Sequence, residues 1–539
     1  MPFQAALGGL ERRPHTFFFL STAAPQKCKN PPLPAGIGIA HLQVAVGGRE
    51  RLGVLAPRGR TRAREAPGRR REAKALAPAR CDAKRTRYPI PPPSPILNNM
   101  ASPHLRPPPI HRVVIVGGGA GGLELAAKLG RRHGPQCVTL VDSRPIHIWK
   151  PSLHEAAAGT LDIHQEGLSY LMLANLCGFT FALGELRAVD REQRAITLGA
   201  VLDSHGDEVL PQRELAYDTL VLALGSISNF FNTPGAAQHA VTLDNTENAE
   251  EFRLTMLKAM VQVDQAKVRD PSARLDLVIV GGGATGVELA VELHEAGNTV
   301  AAYGLPNFRA DRDLAITLVE GAPRILAALP EKISSAALAR LTELGIRVET
   351  DCRVAEVTPR SVKTADGREF AASLCMWAAG IQGPPLLATL DMPLSRAGQL
   401  MVDDHLQSPD PNILALGDCC AVPRGNGGTV PARAQAAHQE AGYLARKITA
   451  RIRGAAEPQA PYQYLDRGSL VSLGQDAGVG SLMGKLAGRG LFVSGTLARL
   501  MYMSLHLMHH HAVLGLGRTA SMALARLLMR RTHPRVKLH

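Results

Sequence analysis

The string VGGGAGGLELA at residues 116–126 returns 164 positions later as VGGGATGVELA at residues 280–290, and no other feature narrows the fold so far. Each copy carries Gly-x-Gly-x-x-Gly, as Gly117, Gly119 and Gly122 and again as Gly281, Gly283 and Gly286, directly after a β-branched run. The pattern reads as strand, tight turn and helix start. Its first glycine allows the turn, its second lets the backbone approach a pyrophosphate, and its third lets helix and strand close up. The phosphates then face the positive end of the helix dipole. One copy alone would be a weak signal, but two in the same context predict an α/β fold with two Rossmann-like dinucleotide-binding domains.

A chain of 539 residues has length for two or three domains with real cores. Its net charge of +14 belongs to the ends. Residues 1–99 hold 18 Lys+Arg against 5 Asp+Glu, residues 477–539 hold 9 against none, and residues 100–476 hold 34 against 42. The body is mildly acidic and lacks a basic recognition motif, so nucleic acid is not an expected partner. The Pro- and Arg-rich start supports no long amphipathic helix; residues 1–106 are expected not to fold, and the composition change at Met100 marks the expected start of the protein proper. Scarce serine and frequent proline oppose a transit peptide, and the apolar stretch 16–24 is too short for a secretory signal. Eight cysteines without Cys-x-x-Cys or metal-like spacing predict a reduced protein. No uninterrupted apolar run reaches the roughly 18 residues of a spanning helix.

From residue 113 strands and helices alternate. A strand over 113–116, a helix over 122–131 and a strand over 138–141 lead to Asp142, 25 positions after Gly117. There a dinucleotide domain presents a carboxylate to the adenosine ribose, although a solvated strand-end acid fits the same pattern. The second unit predicts a strand over 277–280, a helix over 285–296, a loop over 297–312 containing Pro306, and a strand over 315–319 ending at Glu320. A carboxylate at 320 accepts a ribose diol and repels a 2′-phosphate, which favours NADH over NADPH, with Arg324 close enough to soften that preference. Two apolar strands ending in glycine follow, YDTLVLALG at 217–225 and LCMWAAG at 374–380, and ILALGD at 413–418 places Asp418 where it can bond a flavin's ribityl and pyrophosphate region.

These residues resemble the two-dinucleotide-binding-domain flavoprotein reductases. RAQAAHQ at 433–439 contains Ala-Gln-x-Ala-x-Gln, the quinone-site pattern of the type II, non-proton-pumping NADH:quinone oxidoreductases. IWKPSLHE at 148–155, SLVSL at 469–473 and HPRVKLH at 533–539 extend the resemblance to bacterial respiratory members over residues 110–539. It implies a glutathione-reductase-like arrangement: a FAD domain from 107–240 and 376–476, an NADH domain over 241–375, and a membrane-association region over 477–539. It also implies that Gly117, Gly119, Gly122, Asp142 and Asp418 hold FAD, that Gly281, Gly283, Gly286 and Glu320 hold NADH, and that Glu288 lies near nicotinamide and flavin. Without the resemblance, Glu288 is equally a first-turn acid stabilised by the helix dipole.

The implied chemistry is hydride transfer from nicotinamide C4 to flavin N5, then two electrons and two protons to a quinone, with the protein supplying placement and electrostatics. Gln435 and Gln439 lie four apart and share a helix face, where neutral amides suit quinone carbonyls. His438 is expected to face elsewhere. Lys150 is a candidate cation beside the flavin. Residues 491–516 mix Leu, Met, Val and Tyr with His506, His509, His510 and His511, and Arg518, Arg526, Arg530, Arg531, Arg535 and Lys537 follow with no acid among them. An amphipathic helix pair in the interface of an anionic membrane is expected, peripheral on the cytoplasmic face of a bacterial inner membrane. The histidines read as interfacial polar surface, since no Cys, Asp or Glu is near them to complete a metal site. A homodimer is among the expected partnerships. The competing enzyme is a sulfide:quinone oxidoreductase, which needs cysteines across the flavin, with only Cys177 and Cys352 or Cys375 to offer. A non-catalytic nucleotide-binding redox sensor is the reading from another class.

Overall fold

The computed structural model describes residues 110–539 apart from 426, 475–476, 483–490, 530–535 and 539; the extension at 1–106 lies outside these. Two five-stranded parallel sheets carry the two glycine strings. In the first the order is Ile413–Ala415, Thr219–Leu222, Val113–Val116, Val138–Asp142, Thr180–Leu183. In the second it is Val241–Thr242, Leu374–Trp377, Leu275–Val280, Leu314–Val319, Arg347–Glu349. Each string follows the central strand, with the acid-ended strand beside it. Helices cover both faces of such sheets, so their strands read as unbroken apolar runs. VVIV at Val113–Val116 is buried throughout, each such side chain contributing roughly 1.5–3 kcal/mol. Leu374–Trp377 crosses the expected boundary at 375/376 and pairs wholly within the second sheet.

Both turns are built alike. Gly117 and Gly281 have φ of +105° and +111°, open only to glycine without strain. A Cβ on Gly122 would lie 1.9 Å from the Gly117 carbonyl oxygen, and one on Gly286 equally close to that of Gly281, so neither helix could approach its turn with a side chain there. The helices run Ala120–His133 and Ala284–Gly304. The second corrects the expected loop over 297–312, because helix continues to Gly304. Asn298 and Thr299 bond back to the carbonyls of His294 and Glu295, and bare Gly297 lets the helix press on Leu314. Only 305–309 remains as loop before the short helix Ala310–Asp313.

The first-string helix packs against Ala434–Ile452, the helix carrying the two glutamines, at Gly121, where a Cβ would collide with Leu416 and Ala437. Beyond it comes an antiparallel sheet of Gly468–Ser472, Gly478–Leu482 and Leu491–Ser494, then the helices Gly495–Leu514 and Leu516–Met529. The expected helix pair is present, although 491–494 is strand. Among the described residues no helix is long and apolar enough to cross a membrane.

Candidate functional site

One chamber of about 1770 Å³ lies between the two nucleotide units and beneath the helix Gly495–Leu514. It brings together Gly119, Gly122, Lys150, Asp418, Gly283, Glu288, Gln435 and Gln439 in a single lining. Gly117, Gly281, Gly286, Asp142 and Glu320 do not line it. The second glycine of each string, Gly119 and Gly283, has nothing within 4 Å of an added Cβ, so bare backbone at each helix start faces open space. An anion's approach requires this, and a dinucleotide pyrophosphate fits both positions.

Asp142 and Glu320 perform the same task in their units. The Gly118 N–H donates to Asp142 Oδ2 at 2.7 Å and the Arg144 N–H to Oδ1 at 2.9 Å; the Gly282 N–H donates to Glu320 Oε2 at 2.6 Å and the Ala322 N–H to Oε1 at 2.7 Å. Burial pushes the Asp142 carboxyl up, against the pull of those two amides. Arg324, expected to soften the NADH preference, donates to the carbonyls of Leu326, Ala327 and Leu329, three residues of the chamber wall.

Lys150 and Asp418 are linked: Lys150 Nζ donates to the Ser226 carbonyl at 2.8 Å and Ser226 Oγ donates to Asp418 Oδ2 at 3.0 Å. Glu440 accepts the Gly417 N–H at 2.7 Å and thereby holds the Gly417–Asp418 turn; burial pushes its carboxyl up to about 7.

Gln435 and Gln439 share a face as expected, and both amides grip the segment after them. Gln435 Nε2 donates to the Gly468 carbonyl at 3.0 Å and its Oε1 accepts from the Arg467 N–H at 3.2 Å. Gln439 Nε2 donates to the Leu465 carbonyl at 2.9 Å and its Oε1 accepts from the Leu465 N–H at 3.0 Å. His438 corrects the expectation that it faces away. Residues three apart on a helix are neighbours, so it stands beside Gln435 and lines the chamber. Its Nδ1 lies 2.6 Å from Glu124 Oε2.

Glu288 is buried, accepts the Ser472 N–H at 2.9 Å and lies 3.8 Å from His154 Nδ1. Burial pushes its carboxyl up to about 8 and, with Glu155 and Glu292 close by, keeps it protonated at neutral pH. Burial holds His154 down at about 4, so the pair is a neutral acid beside a neutral imidazole.

The C-terminal histidines are the clearest correction. His509 and His510 are buried, not interfacial. His509 bonds His147 through their Nε2 atoms at 2.8 Å, His147 reaches the Gly118 carbonyl at 2.9 Å, and Trp149 stacks on His506. Burial lowers His147 to about 4 and His506 to about 3, so these imidazoles are neutral. Part of the basic tail also turns inward. Lys537 pairs with Asp162 at 3.4 Å and Glu250 at 3.5 Å, and Arg526 pairs with Glu166. Arg530, Arg531 and Arg535 lie outside the described residues. Cys177, Cys352 and Cys375 are buried away from the chamber, which removes the cysteines a sulfide:quinone oxidoreductase would need.

Sequence reasoning missed Glu124, His147, His154 and Trp149. For Glu124 a signal was available: it occupies in the first glycine string the position that Glu288 occupies in the second.

Residues 111–441 match the family model described as pyridine nucleotide-disulphide oxidoreductase. A type II NADH:quinone oxidoreductase of Haemophilus influenzae is 39% identical over 444 residues, covering 79% of this chain and 99% of that protein. The chain belongs to the type II NADH:quinone oxidoreductases. Another member, Ndh of Mycobacterium tuberculosis, is 30% identical across 75% of this chain and 85% of its own length. The structure of NDH2 from Plasmodium falciparum in complex with NADH superposes with a TM-score of 0.66 at 18% identity, covering 79% of this chain and 99% of that one, a likeness of fold. As a member of this family the chain is an oxidoreductase, and the non-catalytic sensor reading falls away.

Proposed function

We propose that this enzyme oxidises NADH and passes two electrons through FAD to a membrane quinone without moving protons across the membrane. The observation that carries the reading is the single chamber, onto which both glycine strings and the helix bearing Gln435 and Gln439 open. Gly117, Gly119, Gly122, Asp142 and Asp418 hold FAD, and Gly281, Gly283, Gly286 and Glu320 hold NADH. When bound, FAD supplies the hydride acceptor and the two-electron donor that no side chain can supply. Lys150, held by Ser226, places a cation beside Asp418. Glu288, protonated at neutral pH, offers a donor to the nicotinamide end without adding charge. Glu320 selects NADH, its carboxylate repelling a 2′-phosphate.

Quinone docks against the face of Gln435, His438 and Gln439. A carboxamide has two N–H donors and two carbonyl lone pairs, so Gln439 keeps one N–H free for a quinone carbonyl while its other groups grip Leu465. The helix pair brings this chamber to lipid: Leu497, Leu500, Leu516, Leu524 and Leu528 are 58–74% exposed, and Arg518 is exposed beside them. Such a face lies flat in an anionic interface, as expected on the cytoplasmic side of a bacterial inner membrane.

Detergent-purified protein should turn over NADH when a short-chain quinone is added as the acceptor, and should release FAD on denaturation. In sealed liposomes turnover should leave an internal pH dye unchanged. No turnover with quinone, a different flavin, or a pH gradient would each overturn the corresponding part.

A further inference from the structure

Reducing a quinone to a quinol takes two electrons and two protons. NADH brings the electrons and one proton as hydride, so the second proton must come from water. The duplicated string supplies a route. Glu124, equivalent to Glu288 in the repeat, is buried at 1% exposure between two partly exposed cations or bases. Its Oε1 is ion-paired with Lys128 Nζ at 2.5 Å without an aligned hydrogen bond, and its Oε2 lies 2.6 Å from His438 Nδ1. The Lys128 side chain is 32% exposed and that of His438 39%. Lys128 lies over bare Gly442, and His438 lines the chamber beside Gln435 and Gln439. One buried carboxylate thus joins a solvent-reaching ammonium to an imidazole at the expected quinone face.

We infer that Lys128, Glu124 and His438 form the proton-delivery path for quinone reduction. The inference rests on the reading of the chamber as the quinone site. Glu124 passes a proton to His438 Nδ1, His438 releases one from Nε2 to the quinone oxygen, and water at the solvent-reaching Lys128 end restores the proton on Glu124. Overall, NADH, one proton and quinone give NAD⁺ and quinol. His509, on the helix Gly495–Leu514, interacts with His438. His509 is held well below its usual value by burial and by His147, His510, His506 and His438, so it offers no competing charge.

The test uses the flavin-loaded enzyme under anaerobic stopped flow, as wild type, Glu124→Gln and His438→Asn. NADH bleaching and reoxidation by ferricyanide, which takes electrons without protons, should stay within about twofold of wild type. Reoxidation by short-chain ubiquinone should slow by about 100-fold, the scale of a lost general acid, and gain a larger solvent deuterium effect. Lys128→Met should slow the quinone step more than reoxidation by ferricyanide. Independently of turnover, ¹⁵N-histidine-labelled enzyme should show a downfield Nδ1–H resonance that vanishes in His438→Asn and moves in Glu124→Gln. Wild-type quinone rates in both variants, equal slowing with quinone and ferricyanide, or no such resonance would overturn the proposal. If Glu124→Gln fails to fold, His438→Asn decides through its maximal rate: a loss confined to the KM for quinone would mark docking alone and overturn the proposal. A wild type that NADH bleaches but quinone never reoxidises removes the quinone-site reading instead, a different failure.

Discussion

Gly119→Ala and Gly283→Ala separate a glycine needed by the fold from one needed by a ligand. Both residues have extended backbone, φ −62° and ψ −171° for Gly119 and φ −71° and ψ −177° for Gly283, which alanine adopts freely. Neither Cβ would meet an atom within 4 Å. On structure alone each change should leave the ligand-free protein as stable or raise stability by about 0.4–1 kcal/mol, because alanine restricts the unfolded chain. In the complex the methyl group occupies the space through which a phosphate reaches the helix N-terminus. Losing one charge-assisted hydrogen bond there costs about 2 kcal/mol, and that is roughly thirtyfold in affinity. The two positions should therefore fail differently. Gly119→Ala should be purified pale, with its flavin regained only at high added FAD, whereas Gly283→Ala should be yellow and show a roughly thirtyfold higher KM for NADH. Flavin absorbance, the NADH saturation curve and thermal melts of flavin-stripped protein measure all three quantities. Flavin loss from Gly283→Ala with retention by Gly119→Ala would refute the assignment of the copies. Lowered apo stability in both would refute the ligand role.

Gly122→Ala should instead give insoluble or flavin-free protein, since its Cβ meets backbone at 1.9 Å and nothing flexible can yield; a soluble, yellow variant would contradict that. Glu288 has a carboxyl raised in the fold to about 8, so its contribution is present below the usual carboxylate range and lost as pH rises toward 8. The unfolding free energy of wild type should therefore fall relative to Glu288→Gln between pH 5 and 8, by up to about 1.4 kcal/mol per pH unit; denaturant melts measure it, and parallel curves would count against it. Leu497→Glu with Leu500→Glu removes two exposed leucines from the proposed lipid face, about 2 kcal/mol each. Flotation with anionic liposomes should drop while NADH-ferricyanide activity persists; undiminished flotation would place the anchor elsewhere.

The two units were legible because their signals are local. Glycine spacing, a β-branched run and an acid at the next strand end lie within about 40 residues, where backbone geometry dictates sequence. The helix Ala284–Gly304 was under-read because Gly297, Asn298 and Thr299 look like a breaker, yet Leu314 sits close against the first and backbone carbonyls accept from the other two. The histidines at 506–510 were misplaced for a longer-range reason. His147 and Trp149 lie more than 350 residues earlier, and only the fold shows that they cover one another. His438 was misjudged on spacing alone, by attending to the i,i+4 glutamine pair and passing over i,i+3. Glu124 was visible in the repeat all along, but its meaning depends on a histidine 314 positions away.

The central claim, that the two glycine strings are the two ends of one electron path, is tested most directly by an anaerobic single-turnover titration of the purified enzyme. One equivalent of NADH per bound flavin should abolish the absorbance near 450 nm, and one equivalent of short-chain ubiquinone should restore it while quinol appears. Flavin that NADH leaves oxidised, or that stays reduced after ubiquinone is added, would contradict the account.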